Sequence, residues 1–252
     1  MKSPAWVLFR GLGRQSAHWG TFTEDLGARF PQTRMFAPDF PGTGKRLNED
    51  SPNSIEGLVN AIRSELAFDL VDRPLWLLGL SLGGMVALSW AQRFPHEVAG
   101  IAMVSSSVGG ISPPWKRLRP SALVTVARIS FTKQAEERER QTLMITSADT
   151  HRQSGVLAQW TELAAHAPVS RATLRRQLWA AIKFRPDVKK LSCPTLVVTG
   201  AKDKLVHPSC GQSLALALQT TQMLSADAGH DLSLDQPEWL LQQLEMWAKP
   251  KM

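Results

Sequence analysis

The chain has few residues of the kinds that cross-link a protein covalently or through metals. Of its 252 residues only two are cysteine, Cys193 and Cys210, and no group of residues shows the spacing of a metal site. This excludes a disulfide framework, suits a reducing cytosol and predicts a protein without a metal or cofactor. A chain of this length buries about three quarters of its unfolded surface, so a hydrophobic core is sufficient for stability.

Long apolar runs are missing as well. No stretch approaches the ~20 apolar residues that cross a bilayer. The short run from Ala5 to Phe9 ends at Arg10, which is not the pattern of a secretory signal. Internal repeats and low-complexity segments are also absent. We therefore expect a soluble, cytoplasmic protein without a membrane span.

The net charge of +7 is unevenly distributed. Between Ser112 and Lys190 there are fifteen Lys and Arg against six Asp and Glu, so this segment holds all of the excess positive charge. Nucleic-acid binding is not favoured, because the charge is not interleaved with aromatic residues in a recognisable module. The basic segment is either a set of solvated helix faces or a surface for an acidic partner.

Short apolar segments alternate with helical patterns along most of the chain. Continuous apolar runs such as Leu75–Leu78 and Leu196–Val198 are typical of strands buried on both faces of a parallel sheet. Strand–helix alternation of this kind predicts an α/β protein with a doubly wound, mostly parallel sheet. The predicted strands are Ala5–Phe9, Arg34–Ala37, Leu75–Gly79, Gly100–Val104, Thr195–Thr199 and Thr221–Leu224, and the predicted helices are Trp19–Phe30, Ile55–Leu70, Leu82–Phe94 and Glu238–Ala248.

The alternation stops after Ser107. Residues 108–191 contain no convincing strand and several helical patterns, the clearest at 136–144, 157–165 and 173–184. Since a structureless loop of this length is improbable in a compact domain, we interpret it as a helical lid inserted into a core of residues 1–107 and 192–252. Its tryptophans, Trp115, Trp160 and Trp179, either line an acyl pocket or pack the lid. Packing is the default in a chain with nine tryptophans and no tyrosine.

A serine flanked by glycines stands at a predicted strand-to-helix turn. The motif is Gly79-Leu80-Ser81-Leu82-Gly83, directly after the apolar strand and before the helical pattern that starts at Leu82. Such a turn lifts the serine hydroxyl out of the fold, and it is so sharp that side chains at positions 79 and 83 would collide. The motif in this context identifies Ser81 as the candidate nucleophile.

A serine nucleophile needs a base, and the base needs an orienting group. Of the six histidines, His230 alone follows a predicted strand and a short loop near the chain's end, which places it at the carboxyl edge of the sheet with Ser81. Asp203 follows the preceding strand and is the candidate carboxylate behind the imidazole. Asp227 and Asp231 are second choices, because a near neighbour in sequence rarely reaches behind the ring.

Five blocks in this order resemble the α/β-hydrolase family from end to end. They are Arg10-Gly11-Leu12-Gly13, Asp39–Gly44, Gly79–Gly84, Gly200–Asp203 with Pro208, and Gly229-His230-Asp231. The chain order Ser81, Asp203, His230 is the one expected of this family. Within it, the sequence is most similar to small bacterial carboxylesterases such as the pimeloyl-acyl-carrier-protein methyl ester esterases. The resemblance implies that the chain starts at the family's third strand, without the first two.

The oxyanion of a tetrahedral intermediate needs two donors. The backbone N–H of Leu82, next to the nucleophile, is the first, and the resemblance implies the N–H of Leu12 as the second. Where the family usually has His-Gly, this chain has Arg10-Gly11. Arg10 could pair with a nearby carboxylate. His18 and Trp19 either begin a helix or line the pocket entrance.

These residues predict a serine esterase that cleaves small ester substrates through an acyl-enzyme. Thioesters, lactones and carbon–carbon bonds are alternative substrates of the same triad, since the fold does not choose among them. A non-catalytic receptor for a small ligand is the alternative of another class. By resemblance, an acidic carrier protein could dock on basic residues of the lid, which are Arg117, Arg119, Arg138, Arg140, Arg175 and Arg176.

Overall fold

The computed structural model describes residues 2–251, and its centre is a sheet of six parallel strands. The strands are β1 (Ala5–Phe9), β2 (Arg34–Phe36), β3 (Leu75–Leu80), β4 (Val98–Val104), β5 (Thr195–Gly200) and β6 (Gln222–Ser225). Their order across the sheet is β2-β1-β3-β4-β5-β6, and every neighbouring pair is parallel. The predicted doubly wound parallel sheet is confirmed, and each predicted strand lies within two residues of an observed one.

Helices cover both faces of this sheet. They are α1 (Phe22–Arg29), α2 (Ile55–Glu65), α3 (Ala67–Leu70), α4 (Leu82–Arg93), α5 (Pro114–Arg117), α6 (Pro120–Phe131), α7 (Ala135–Thr146), α8 (Thr150–His166), α9 (Arg171–Lys183), α10 (Ser209–Ala217), α11 (Leu232–Asp235) and α12 (Pro237–Ala248). Short 3₁₀ helices lie at Ser16–Trp19, Gly44–Arg46, Val188–Lys190 and Lys249–Lys251. Within residues 2–251, no helix has the length and apolarity required to cross a bilayer.

The hydrophobic core is divided by the sheet into two clusters. Alternate strand residues point to opposite faces, so Val7 and Leu77 join the cluster under α2 and α4, whereas Leu8 and Leu78 join the cluster under α1 and α12. All six residues of β3 are buried. Burial on both faces explains why these strands are continuous apolar runs and are readable from the sequence.

Five helices, α5 to α9, separate β4 from β5, and residues 108–191 contain no strand. We call these residues the insertion. Helix α6 is not among the clearest predicted helices, and Ala122 is its one buried residue. Trp160 is buried, as expected. The packing prediction is wrong for Trp115 and Trp179, whose exposed fractions are 64% and 48%.

Candidate active site

Ser81 occupies a strained turn between β3 and α4. Its φ of 57° and ψ of −112° lie in a region that few residues other than glycine adopt. Hydrogen bonds on both sides hold it there: the Ser81 N–H donates to the Val104 carbonyl (2.8 Å), and Ser106 Oγ donates to the Ser81 carbonyl (2.8 Å). Because the last residue of β4 and the loop directly after it supply the two partners, this end of the sheet keeps the serine in this conformation.

The glycines on either side of Ser81 are required by close backbone contacts. A Cβ on Gly79 would lie 2.2 Å from the backbone of Gly83, and a Cβ on Gly83 would lie 2.2 Å from the carbonyl oxygen of Phe9 in β1. The sequence interpretation had the two side chains collide with each other. The structure corrects this reason, since each would collide with backbone, the second with a neighbouring strand.

His230 and Asp203 meet at the carboxyl edge of the sheet. His230 Nδ1 lies 2.7 Å from Asp203 Oδ2, and both side chains are buried. The other carboxylate oxygen, Oδ1, accepts hydrogen bonds from the backbone N–H groups of Leu205 (2.8 Å) and Val206 (2.9 Å). Three donors therefore hold the Asp203 carboxylate in one orientation, with Oδ2 facing the imidazole.

The two other candidate carboxylates have different partners. Asp227 is exposed and pairs with Lys202 at 2.8 Å. Asp231 is buried and pairs with Arg10, whose Nη2 lies 2.5 Å from Asp231 Oδ2. Burial is the largest influence and raises the pKa of Asp231, but the charge and hydrogen bond of Arg10, with smaller contributions from Ser233 and His230, together outweigh it, and the pKa lies below its usual value. Of the three acids considered from the sequence, the structure brings Asp203 to the imidazole.

The pKa of His230 is raised above its ordinary value. Burial is the largest influence and lowers it, but the charge and hydrogen bond of Asp203 act in the opposite direction and, with a smaller contribution from Asp231, outweigh burial. The imidazolium that forms when a histidine accepts a proton is therefore stabilised at this position. This is the electrostatic requirement of a general base.

The loop after β1 lies against the turn that carries Ser81. A Cβ on Gly11 would be 3.5 Å from the Cβ of Ser81, so Gly11 packs against the candidate nucleophile. Leu12 is the next residue of the same loop. Leu82 begins α4 directly after Ser81. Among residues 2–251, the backbone N–H of neither leucine donates in a loop, turn or side-chain hydrogen bond. Both therefore remain candidate donors to an oxyanion.

Arg10, at the start of this loop, contacts Trp19, Ser233 and Asp231. Its guanidinium lies 4.6 Å from the centroid of the Trp19 ring, and its Nη1 donates to Ser233 Oγ (3.0 Å). Together with the ion pair to Asp231, these contacts tie the loop after β1 to the segment that follows His230. The arginine that stands where histidine is usual in the family thus cross-links the two loops.

Asp235 is a buried residue of the site that sequence reasoning missed. Its Oδ2 accepts from the backbone N–H groups of Gly229 (2.6 Å) and Ala148 (2.8 Å), and its Oδ1 accepts from Ser147 Oγ (2.5 Å). Ser147 and Ala148 belong to the turn between α7 and α8 of the insertion. Asp235 therefore joins the insertion to the residue immediately before His230, and no local sequence pattern predicts this contact.

No candidate metal centre is found in the part of the chain that the structure describes. The buried polar residues near Ser81 are instead organised by hydrogen bonds and two ion pairs, Arg10–Asp231 and Arg14–Glu139. The arrangement is a strained serine, a buried histidine held by a carboxylate, and two backbone donors at one edge of a parallel sheet. Chemically, this set can move a proton and stabilise an oxyanion.

Comparisons with known proteins agree with this description. The sequence pattern of the alpha/beta hydrolase family matches residues 6–243, so the chain belongs to that family. A pimeloyl-[acyl-carrier protein] methyl ester esterase of Edwardsiella ictaluri is 30% identical over 230 residues, covering 83% of each protein. A pimeloyl-[acyl-carrier protein] methyl ester esterase of Methylococcus capsulatus is 27% identical over 220 residues, covering 85% of this chain and 82% of the relative.

The same fold occurs in solved structures. The enol-lactonase from Burkholderia xenovorans superimposes with a TM-score of 0.79 at 19% identity, covering 99% of this chain and 92% of that one. An esterase from Thermogutta terrifontis has a TM-score of 0.79 at 20% identity, covering 99% and 91%. At these identities the likeness is one of fold, and it accommodates more than one hydrolytic reaction.

Proposed function

We propose that this alpha/beta hydrolase is a serine esterase that cleaves small carboxylic esters through an acyl-enzyme. Esterase-type hydrolysis is the coarse assignment that family membership and the named relatives support. The observation that supports the more specific assignment, a serine esterase with an acyl-enzyme, is the buried His230–Asp203 pair. Its Nδ1 and Oδ2 atoms are 2.7 Å apart, at the edge of the sheet where the strained Ser81 also lies.

In the proposed mechanism, Ser81 Oγ attacks the ester carbonyl while His230 Nε2 takes the hydroxyl proton. Asp203 keeps the proton of Nδ1 in place and stabilises the imidazolium. The carbonyl oxygen becomes an oxyanion that accepts hydrogen bonds from the N–H groups of Leu12 and Leu82. As the carbon–oxygen bond breaks, His230 returns the proton to the leaving alkoxide. Water then hydrolyses the acyl-enzyme by the same steps, releasing the acid and restoring Ser81.

Specificity in this proposal belongs to the insertion, residues 108–191, acting as a lid. Helices α7 and α9 contact the loop after β1 through Glu139 and Gln177, so the insertion lies over the loop that carries Leu12. Thioesters, lactones and carbon–carbon bonds differ from esters mainly in the pocket they require, and they are outcomes of the test below. Two unpaired cysteines suit a cytoplasmic location, which is part of the proposal.

The test is hydrolysis of p-nitrophenyl esters of increasing acyl length by wild type and by Ser81→Ala. We expect activity in wild type alone, with a chain-length optimum that reports the size of the pocket. Equal hydrolysis by Ser81→Ala would refute the nucleophile. A ligand that binds wild type tightly but is never turned over, with no activity on any ester, would favour the non-catalytic receptor.

A carrier-bound ester is the second candidate substrate, since the named relatives act on an acyl-carrier protein ester. Not all basic residues of the insertion are available to an acidic partner. Arg117 donates to the Ala181 carbonyl, Arg119 donates to the Asp203 carbonyl, and Arg176 pairs with Asp50.

Arg138 and Arg140 also pair with glutamates of their own helix, which are Glu139 for the first and Glu136 and Glu137 for the second. Of the six arginines, Arg175 is the one without a side-chain hydrogen bond or ion pair among residues 2–251, so a docking surface would rest on Arg175 and on charges that are already partly neutralised. The test compares one acyl methyl ester, free and attached to a carrier protein, at low and high salt. Faster cleavage of the carrier-bound ester that declines with salt supports docking. Equal rates at every ionic strength would exclude it.

A further inference from the structure

Five buried side-chain nitrogens on or beside the loop after β1 have no acceptor within residues 2–251. Two of them, Arg10 Nε and Trp19 Nε1, belong to side chains that stack on each other, and the other three are Arg14 Nη2, His18 Nε2 and Gln177 Nε2. Gln177 is fully buried and His18 is 8% exposed. Folded proteins leave few buried donors unpaired, because each loses its hydrogen bonds to water without replacement. Three of them in one place indicate a binding site.

The orientation of each donor is set by a second hydrogen bond. His18 Nδ1 lies 3.1 Å from both the N–H and the carbonyl oxygen of Gln15, so either tautomer of the neutral ring has a partner there. A ligand that accepts from Nε2 selects the tautomer with its proton on Nε2, in which Nδ1 accepts from the Gln15 N–H. Burial, followed by the charges of Arg14 and Arg10, holds the pKa of His18 well below its usual value, so the ring is neutral. Gln177 Oε1 accepts from the Gly13 N–H (2.8 Å), which assigns the unpaired atom as the amide nitrogen.

Two of these side chains share one neighbour, the buried Trp160 of α8. The Arg14 guanidinium lies 4.2 Å from the centroid of the Trp160 ring, and the His18 ring meets the same ring edge to face at 5.1 Å. Gln177 is bonded to Gly13, the residue before Arg14. The three donors thus surround one short segment of the loop.

This segment is close to the candidate nucleophile. The Arg14 N–H donates to the Gly11 carbonyl (3.2 Å), closing a turn whose ends are within about 7 Å of each other. Gly11 in turn lies against Ser81. The loop segment that carries the donors therefore begins beside the candidate nucleophile.

The charges around the donors are balanced. Arg14 Nη1 pairs with the buried carboxylate of Glu139 at 2.6 Å, His18 is neutral and Gln177 is uncharged. A carboxylate here would bring an uncompensated charge into a buried place, which is unfavourable. An uncharged oxygen that accepts hydrogen bonds satisfies the donors without that cost.

We propose that Arg14, His18 and Gln177 form a polar subsite for an uncharged acceptor, the carbonyl oxygen of an amide or a second ester, located on the substrate away from the scissile bond. The inference rests on the proposed function for the placement of the substrate and adds its chemical class. Because the donors are buried, binding of this group requires Trp160 or a neighbouring side chain to move.

The test measures binding to Ser81→Ala, which holds esters without cleaving them. The ligands are methyl esters of straight-chain acids of increasing length, each with a methyl, amide or carboxylate terminus, studied by calorimetric titration. At the best length we expect the amide form to bind at least about tenfold more tightly than the methyl form, since each hydrogen bond is worth roughly two- to twelvefold. The carboxylate form should bind more weakly than the amide.

Two variants in the Ser81→Ala background locate the preference. Arg14→Lys keeps a charge opposite Glu139 but removes the Nη2 donor, and His18→Phe keeps a ring against Trp160 but removes Nε2. Each should reduce the amide-to-methyl affinity ratio by about two- to twelvefold. The matched controls Arg152→Lys and His166→Phe, on the exposed surface of α8, should leave the ratio unchanged.

Equal affinities of the amide and methyl forms at every length would overturn the subsite, as would a ratio that neither variant changes. Tighter binding of the carboxylate would overturn its neutral character. The proposed function fails separately, if wild type hydrolyses none of these esters while Ser81→Ala still shows the graded affinities.

Discussion

Replacing Asp203 by asparagine tests the site at a single atom. Asparagine has the size of aspartate, and its carbonyl oxygen can still accept from Leu205 and Val206, so the loop keeps its shape. The amide nitrogen then faces His230 Nδ1 and donates to it. This forces the imidazole proton onto Nε2, the nitrogen that must accept the proton of Ser81.

We expect Asp203→Asn to lower kcat about 10⁴-fold near pH 7, a barrier increase of about 5.5 kcal/mol. The pH profile should change as well. In wild type the acidic limb of kcat/KM reports the pKa of His230, which is raised above its usual ~6.5, and activity appears as pH rises through it. Without the Asp203 charge, burial lowers the pKa of His230, so the acidic limb of the kcat/KM profile moves to lower pH.

The assay is kcat/KM for a p-nitrophenyl ester across about pH 5 to 9, with circular dichroism to verify folding. Asp227→Asn is the matched control, because that carboxylate is exposed and paired with Lys202, and it should stay within about twofold of wild type. A folded Asp203→Asn enzyme with activity within tenfold of wild type and an unchanged acidic limb would refute the reasoning.

Three further predictions concern packing and loop support. Gly79→Ala should lower the free energy of unfolding in urea by about 3 kcal/mol or more, because its Cβ would strike backbone. Gly155→Ala, in open space on α8, should raise it by about 0.5–1 kcal/mol, and equal effects of the two would contradict this account. Asp235→Ala should lower kcat roughly 10- to 100-fold by freeing the loop before His230, whereas Asp235→Asn, with its amide turned to donate to Ser147, should restore most of it. Arg10→Met should cost about 3–5 kcal/mol by leaving Asp231 buried and unpaired, and adding Asp231→Asn should recover part of the loss; additive losses in thermal unfolding would argue against the ion pair.

Much of the sheet was predictable because each strand is a local apolar segment. The run at Leu75–Leu80 is buried on both faces, so its pattern does not depend on which helices cover it. Helix α6 was not predictable in the same way. Its large apolar residues Leu123, Val124 and Phe131 are exposed and only Ala122 is buried, so its apolar residues do not mark a core-facing side.

The candidate nucleophile and base could be inferred from the chain because Ser81 directly follows a strand and His230 follows one after a short loop. Parallel strands end at one edge of a sheet, so topology predicts Ser81, Asp203 and His230 at the same edge. The supporting contacts of Arg10 and Asp235 could not be inferred, because their partners lie on other loops. Arg10 and Asp231 are separated by 221 positions, and Asp235 and Ser147 by 88.

By itself, the sequence determined the parallel α/β sheet, the strained serine turn and the order of the three candidate catalytic residues. These depend on local rules: apolar periodicity, glycine where a Cβ would strike backbone, and polar residues at strand ends. Only the tertiary structure decided which carboxylate faces the imidazole, how Arg10 is neutralised and which donors remain unpaired beneath the insertion. Such choices depend on the distances between loops far apart in the chain, and on the need of each buried charge for a partner.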